Sequence, residues 1–431
     1  GRDPILNVRA FTSIGAIYGG GLQAKVLADP IIDINTVSGS HAANALAAGN
    51  TGGLVALPYP AHAAGEIGAI GNVYGGGNLA NVIGNTSINI GTATTVSMES
   101  EPTHLTPASY TYNETTRLFE GVPVSGVNIT GNVYGGGNAA NIEGNSTITI
   151  GTVDLTDKSG TTIAGDVYGG GFGATTEITG VVTINMGSSD ESGTATGYAT
   201  IGGDLYGGSA LGTVNSTQVN MFGGTVTGSV FGGGKGQTSP SSIAARNTGD
   251  ATVNIIGGTV NTAVYGGSNV NGVMTANTTV NLKGGTVGAD PNGGSILDVV
   301  FGGGKGQPTI VNGDVEVNIG ALEGTTPSGS AVIWGHVYGG SALGSVNGTS
   351  ATSNTHTTNV NLYQGTVNGD LYGGGLGDNT PSAEVAANVY GTVTVTTKVG
   401  TAHNVVGSNN KYGAPQQAVN VQIDGGNLSG N

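Results

Sequence analysis

Asn72-Val73-Tyr74-Gly75-Gly76-Gly77 returns as Asn132-Val133-Tyr134-Gly135-Gly136-Gly137 and as Asp166-Val167-Tyr168-Gly169-Gly170-Gly171. Looser copies end in Tyr206, Phe231, Tyr265, Phe301, Tyr338 and Tyr372, each followed by two glycines. Tyr18 opens the series, and Val405-Val406-Gly407 is a degenerate final copy, which makes eleven. A recurring unit of this size is the mark of a stacked array, and it overrides the two or three domains that 431 residues would otherwise imply.

The shortest interval, Tyr206 to Phe231, gives the minimal unit. It contains three short extended pieces punctuated by glycine or polar residues: the aromatic piece, Gln218–Met221 and Gly223–Val226. The second piece decides the fold. Its flanking pairs are Ile32/Ile34, Ile88/Ile90, Ile148/Ile150, Ile184/Met186, Val219/Met221, Val253/Ile255, Val280/Leu282, Val317/Ile319, Val360/Leu362, Val393/Val395 and Val421/Ile423. The residue between each pair is always polar, as in Asn220, Asn254 and Asn281. Strict alternation of this kind is a strand with one face buried. So short a strand buries its apolar face only by stacking on its own copies, about 4.8 Å apart. The expectation is an all-β chain, a right-handed parallel β-helix (β-solenoid) of about eleven rungs and about 50 Å, with three short strands per rung. Val226, Val260, Val287, Val367, Val399 and Leu428 supply a second inward column.

The glycine runs are read as corners that need positive φ. A phosphate-cradling loop would need a helix behind it, and none follows. A calcium-binding β-roll would need a regular Asp after the glycines, where Asn78, Asn138, Phe172, Lys235 and Lys305 stand instead.

The whole of 1–431 reads as one solenoid segment. It has two excursions at one corner, 36–70 (with a short helix at Ala43–Ala48) and 92–126, which should lie side by side. Shorter loops follow near 152–164 and 187–200. From 201 to 431 the rungs are tighter, with loops 284–298 and 320–335 at the first corner and 235–250, 341–358 and 374–390 at a second. Val421 through Asn431 matches Val253 through Ala263 and stops where Val-Tyr is due. The sequence therefore reads as a piece of a longer array, and no signal peptide is seen.

Composition narrows the function. A net charge of −15, with eleven scattered Lys and Arg, offers no basic stripe for nucleic acid. No apolar run is long enough to span a bilayer. Without cysteine there is no disulfide framework or thiolate metal site, which fits a secreted bacterial protein. The histidines His41, His62, His104, His336, His356 and His403 show no ligand spacing, so no metal or cofactor is expected. Asp166, Asp204 and Asp370 share a column, the first two as neighbours without a basic partner, and are read as turn residues rather than an acid–base pair.

Two surfaces stand out. Period two points the aliphatic of each Val-Tyr inward and the ring outward. That makes Tyr74, Tyr134, Tyr168, Tyr206, Phe231, Tyr265, Phe301, Tyr338 and Tyr372 an exposed interaction stripe, for a neighbouring rod or sugar rings, with a core ladder as the alternative. Tyr110, Tyr112, Arg117 and Phe119 form a partner-contact group in the second excursion. The Thr-x-Asn face (Thr147/Thr149, Thr183/Asn185, Thr252/Asn254, Thr279/Asn281) is similar to the ice-binding face of solenoid antifreeze proteins; its plainer reading is a solvated β-face.

The repeated Gly-Asn-Val-Tyr-Gly-Gly-Gly, with the Gly-Asn-Thr-Ser-Ile-Asn-Ile-Gly that follows it, resembles the repeats of large secreted surface proteins of gut and oral bacteria. That resemblance implies a β-helical stalk or adhesin and supplies no catalytic residue. The expected role is a non-enzymatic structural or adhesive rod on or outside a bacterial cell, self-associating into a filament or lateral array, with a host glycan or surface molecule as ligand. The alternative is a carbohydrate-active or carbohydrate-binding β-helix with its cleft between the two excursions; ice binding is third.

Overall fold

The computed structural model describes residues 3–41, 62–99, 101–102, 109–292 and 294–430. These residues are all-β, with no α-helix among them. The Ala43–Ala48 helix lies outside the described residues.

The alternating pieces form one twelve-stranded sheet in sequence order. It runs through Ile5–Val8, Ile31–Ile34, Thr86–Ile90, Ser146–Ile150, Val182–Met186, Thr217–Met221, Ala251–Ile255, Thr278–Leu282, Val315–Ile319, Thr357–Leu362, Thr392–Thr397 and Val419–Ile423. Ile5–Val8 adds a strand ahead of the first copy read from the sequence. Val253 lies opposite Val280, Asn254 opposite Asn281 and Ile255 opposite Leu282, all parallel. Ile34, Ile90, Val253, Val280 and Leu282 have no solvent exposure. The inward side chains of this sheet make up the main core together with Val226, Val260, Val287 and the valines that precede the aromatic rings. Each such side chain contributes about 1.5–3 kcal/mol.

A second parallel sheet carries two columns of short strands. One contains Thr225–Val226, Thr259–Val260 and Thr286–Val287, the other Leu205–Tyr206, Val230–Phe231 and Val264–Tyr265. Ser13–Tyr18 and Ala69–Tyr74 run through both columns and join them. The third sheet was not foreseen. Its six strands are Glu177–Ile178, Thr213–Val214, Ala245–Asn247, Gly272–Met274, Ile310–Val311 and Ser345–Val346. Parallel bridges extend it through Val26, Val82 and Ile142 at one end and Val389 and Pro415 at the other. A unit thus holds four extended pieces, not three, and the segments read as loops at 235–250 and 341–358 each contain one. Three long parallel sheets in sequence order are what a β-helix requires.

The sheets are tied across the interior. The hydroxyls of Thr86, Ser146, Thr217 and Thr278 donate to the carbonyls of Gly135, Gly169, Gly232 and Gly302 at 2.7–3.0 Å, so buried donors and corner carbonyls satisfy each other.

Three further corrections concern detail. Glycines of the aromatic corner, such as Gly232 and Gly266, do not have positive φ. They are needed because a Cβ on either would lie 2.2–2.3 Å from the carbonyl oxygen of the glycine one rung on. Positive φ belongs to the opposite corner, at Gly224, Gly258 and Gly285. In the penultimate rung Val393 and Val395 are both buried as expected, but the register pairs Val360 with Val395 and Leu362 with Thr397, so Thr397 is a third inward residue and the equivalents of Val360/Leu362 are Val395/Thr397. Thr397 is tolerated inside because its hydroxyl donates to the Gly425 carbonyl at 2.8 Å. Val399 is 60 % exposed, and Ala402 takes its place opposite Leu428.

The antiparallel strands among the described residues belong to insertions that leave the end of the alternating strand; after the glycines there are isolated antiparallel bridges, Gln237 with Ile243 and Asp378 with Val385. The 92–126 excursion forms a three-stranded sheet of Thr95–Met98, Leu118–Pro123 and Thr111–Asn113. The bases of the two excursions do lie side by side: Thr36 and Gly126 form a bridge, and Val37 packs with Val96, Val122 and Val124.

Candidate functional site

The aromatic column is continuous. From Tyr18 through Tyr74, Tyr134, Tyr168, Tyr206, Phe231, Tyr265, Phe301 and Tyr338 to Tyr372, successive rings lie 4.7–5.1 Å apart and within 8° of parallel. The rings do face away from the main core, as alternation requires, but they do not face solvent. They form a second core with Ala210, Ala263 and Ala342, flanked by Leu211 and Leu376. Tyr206, Phe231 and Tyr338 are fully buried, Phe301 is 1 % exposed, Tyr134 and Tyr168 3 %, Tyr265 5 % and Tyr74 7 %; Tyr372 is partly buried. The exposed stripe is therefore corrected to a buried ladder. The physical reason is cover from segments that follow the glycines. Asn269 donates to the Tyr206 hydroxyl at 2.9 Å, Asn410 to that of Tyr338 at 2.9 Å, and Lys235 Nζ lies 5.8 Å over the Tyr206 ring.

Where the residue two before a tyrosine is an aspartate, it shares the ring's face and serves it. Tyr168 donates to Asp166 at 2.7 Å, Tyr206 to Asp204 at 2.8 Å and Tyr372 to Asp370 at 3.1 Å. The other carboxylate oxygen accepts the backbone N–H one rung on: Asp204 onto Asp166 at 2.9 Å and Ser229 onto Asp204 at 2.7 Å. These aspartates are thus staples between rungs, in line with their reading as turn residues. Asp166 does have a basic partner, Lys235, at 3.1 Å. Burial would raise the Asp166 carboxyl, but the Asp204 amide, the Tyr168 hydroxyl and Lys235 together hold it below the usual carboxylate value. Burial, followed by the Tyr74 phenol, pushes Tyr134 up to about 12. Burial and Asp370 push Tyr372 up to about 12.

The outer face of the twelve-stranded sheet carries an asparagine ladder. Each Nδ2 donates to the Oδ1 one rung back, from Asn361 through Asn318, Asn281, Asn254 and Asn220 to Asn185, at 2.8–2.9 Å. The column beside it runs Thr183, Gln218, Thr252, Thr279, Glu316 and Asn359, so it is not a uniform threonine surface.

In the second excursion, Tyr110 meets Phe119 edge-on at 5.7 Å and Tyr112 lies against Phe119 at 5.0 Å. Arg117 occupies the connecting turn with φ +58° and makes no ring contact among the described residues, so the group comes together only in part. Between this excursion and Ile5–Val8 lies a cleft of about 750 Å³, lined by Asn7, Arg9, Ser97, Met98, Glu99 and Leu118 among others. Arg9 is held there by bonds to the Asp33 carbonyl at 3.1 Å and Asn7 Oδ1 at 2.7 Å, and burial lowers its pKa against the opposing pull of Asp33. Among the described lining residues the cleft has one carboxylate, Glu99, rather than a pair.

Among the described residues no group of three or more His, Cys, Asp or Glu is placed to hold a metal ion, and no helix is long and apolar enough to cross a membrane. Comparison with protein-family models, curated proteins and solved structures finds no match to this chain.

Proposed function

We propose that the chain is a right-handed β-solenoid of about a dozen rungs that works as a non-enzymatic structural or adhesive rod, secreted onto a bacterial surface or into an extracellular fibre, and that it associates with its own kind side by side or end to end. The observation that carries this reading is where the polar chemistry goes. The asparagines of one face bond to each other along the stack, and the buried tyrosines are served by aspartates that also bond the next rung. Groups used in this way add cohesion along the axis and turn over no substrate. Electron microscopy of the purified segment tests it: straight rods, single or in ordered arrays, are expected. Cleavage of a polysaccharide by the segment, lost on replacing Glu99, would replace this reading with that of an enzyme.

A carbohydrate-binding role is the second reading, favoured by the cleft between the 92–126 excursion and the first strand, where a fixed guanidinium stands among hydrogen-bonding and apolar side chains. Binding of a soluble glycan that is lost in Arg9→Met supports it.

A further inference from the structure

The asparagine face carries a second recess, remote in sequence from that cleft. Leu282, Ile319 and Leu362 are stacked inward residues of three successive strands, so the residues after them, Lys283, Gly320 and Tyr363, stand one above another. Gly320, with φ +78°, leaves the middle position without a side chain; a Cβ there would lie 2.5 Å from the Ser328 carbonyl oxygen. The recess between Lys283 and Tyr363 has a volume of about 220 Å³. Asn281 and Asn318 line it, and the hairpin of Ala321–Glu323 and Thr326–Ser328 raises Leu322 at its rim.

The chemistry of the recess is specific. Asn318 donates one N–H to Asn281 Oδ1 at 2.9 Å and accepts from Asn361 at 2.9 Å; Asn281 donates one to Asn254 at 2.8 Å. Each of these two amides keeps one N–H and one oxygen lone pair, a donor and an acceptor fixed in place by the ladder. Adjacent hydroxyls of a sugar ring match such a pair. Tyr363 and Leu322 offer apolar surface for the ring's C–H face. The Tyr363 phenol is raised in pKa by burial and then by Glu316, against the opposing pull of Lys398. Lys283 is exposed and makes no ion pair among the described residues, whereas Lys398 is held by Asp424 at 2.6 Å. Glu316 lies on the middle strand, two residues before Asn318 and between Thr279 and Asn359, and Lys398, the residue beyond Tyr363 in the column, is already paired, so the ammonium left for an anionic substituent is that of Lys283.

We infer that this recess binds one carboxylate-bearing sugar residue of a glycan, with its hydroxyls on Asn281 and Asn318, its ring against Tyr363 and its carboxylate on Lys283. The volume lies below that of pockets that enclose whole small-molecule ligands, so it suits a single ring. The inference does not depend on the rod being structural: a rod without this site is still a rod.

Isothermal titration of the intact segment with a short oligogalacturonate, and with a maltooligosaccharide of equal length, tests it. The acidic oligomer should bind and the neutral one should not. Lys283→Met, at an exposed residue, and Tyr363→Ala, at a half-buried one, should each weaken binding by about tenfold or more. Lys411→Met, elsewhere on the surface, should leave it unchanged and so controls for loss of net charge. Absence of binding, equal binding of the two oligomers, or binding indifferent to both recess variants overturns the assignment. Electron microscopy of the same variants keeps this result separate from the rod proposal.

Discussion

Tyr206 and Tyr265 sit two rungs apart in the same stack and differ in what their hydroxyls do. Tyr206 donates to Asp204 and accepts from Asn269. Removing that hydroxyl leaves two polar groups unpaired beside a buried ring, so Tyr206→Phe should cost about 1–3 kcal/mol. Tyr265 makes no such bond among the described residues and has Phe231 and Phe301 as neighbours, so Tyr265→Phe should change stability by no more than about 0.5 kcal/mol. Urea titration followed by hydrogen exchange around each site checks the contrast; equal losses would contradict it. The stack also fixes the response to alkali. Tyr134 and Tyr372 are both pushed up to about 12. A phenol whose folded pKa lies above its unfolded value of about 10 contributes stability fully below that pH, and the contribution is lost as pH rises toward 12. The tyrosinate absorbance that belongs to the stacked rings, as distinct from exposed phenols such as Tyr112 and Tyr412, should therefore be missing past pH 10 and appear together with loss of β structure. Ionisation of all fifteen tyrosines near pH 10 with the sheets intact would contradict burial. The sequence made the column of rings legible, and even their direction, since alternation forces each ring off the main core. Their cover was not legible, because Asn269 lies 63 residues from Tyr206 and Asn410 lies 72 from Tyr338.

At the scale of the strand, cohesion comes from bonds between copies. Asn254 donates to Asn220 and accepts from Asn281. Asn254→Ala breaks both, at about 0.5–1.5 kcal/mol each and nearer the low end because the face is partly wet. In this sheet each strand pairs only with the strands on either side of it, so the damage should stay local. Hydrogen exchange should quicken in Thr217–Met221, Ala251–Ile255 and Thr278–Leu282 and remain slow in Ser146–Ile150; a uniform increase would contradict nearest-neighbour cohesion. Alternation identified these strands and their buried faces. It could not fix the register of Thr392–Thr397, because a slip of two residues keeps every side chain on its own face. Only the following corner, where the Thr401 N–H bonds the Gly365 carbonyl, sets that register. The third sheet escaped notice because its strands are two or three residues long. A signal was present nonetheless: Val82, Ile142, Ile178, Met274 and Val311 each stand four residues before the alternating strand begins.

For the molecule as a whole, spacing in sequence and spacing in space are different quantities. Neighbouring rungs are separated by anything from 25 residues, at Tyr206 and Phe231, to 60, at Tyr74 and Tyr134, yet both pairs of rings stack within 5 Å. Loops absorb the difference at the corners, and the sheets do not register it. The Lys283–Gly320–Tyr363 recess is a product of that rule: no local motif announces it, because its parts meet only through the register of the stack. The chain contains no cysteine, so a pair of introduced thiols gives unambiguous spin labels. Thr183 and Asn359 lie in one outward column, five strand steps apart. With labels at Thr183→Cys and Asn359→Cys, pulsed electron–electron resonance should give a narrow distance distribution centred near 24 Å, five spacings of about 4.8 Å. A broad distribution, or a centre displaced by more than the reach of the labels, would mean that like strands do not lie on one another in this protein.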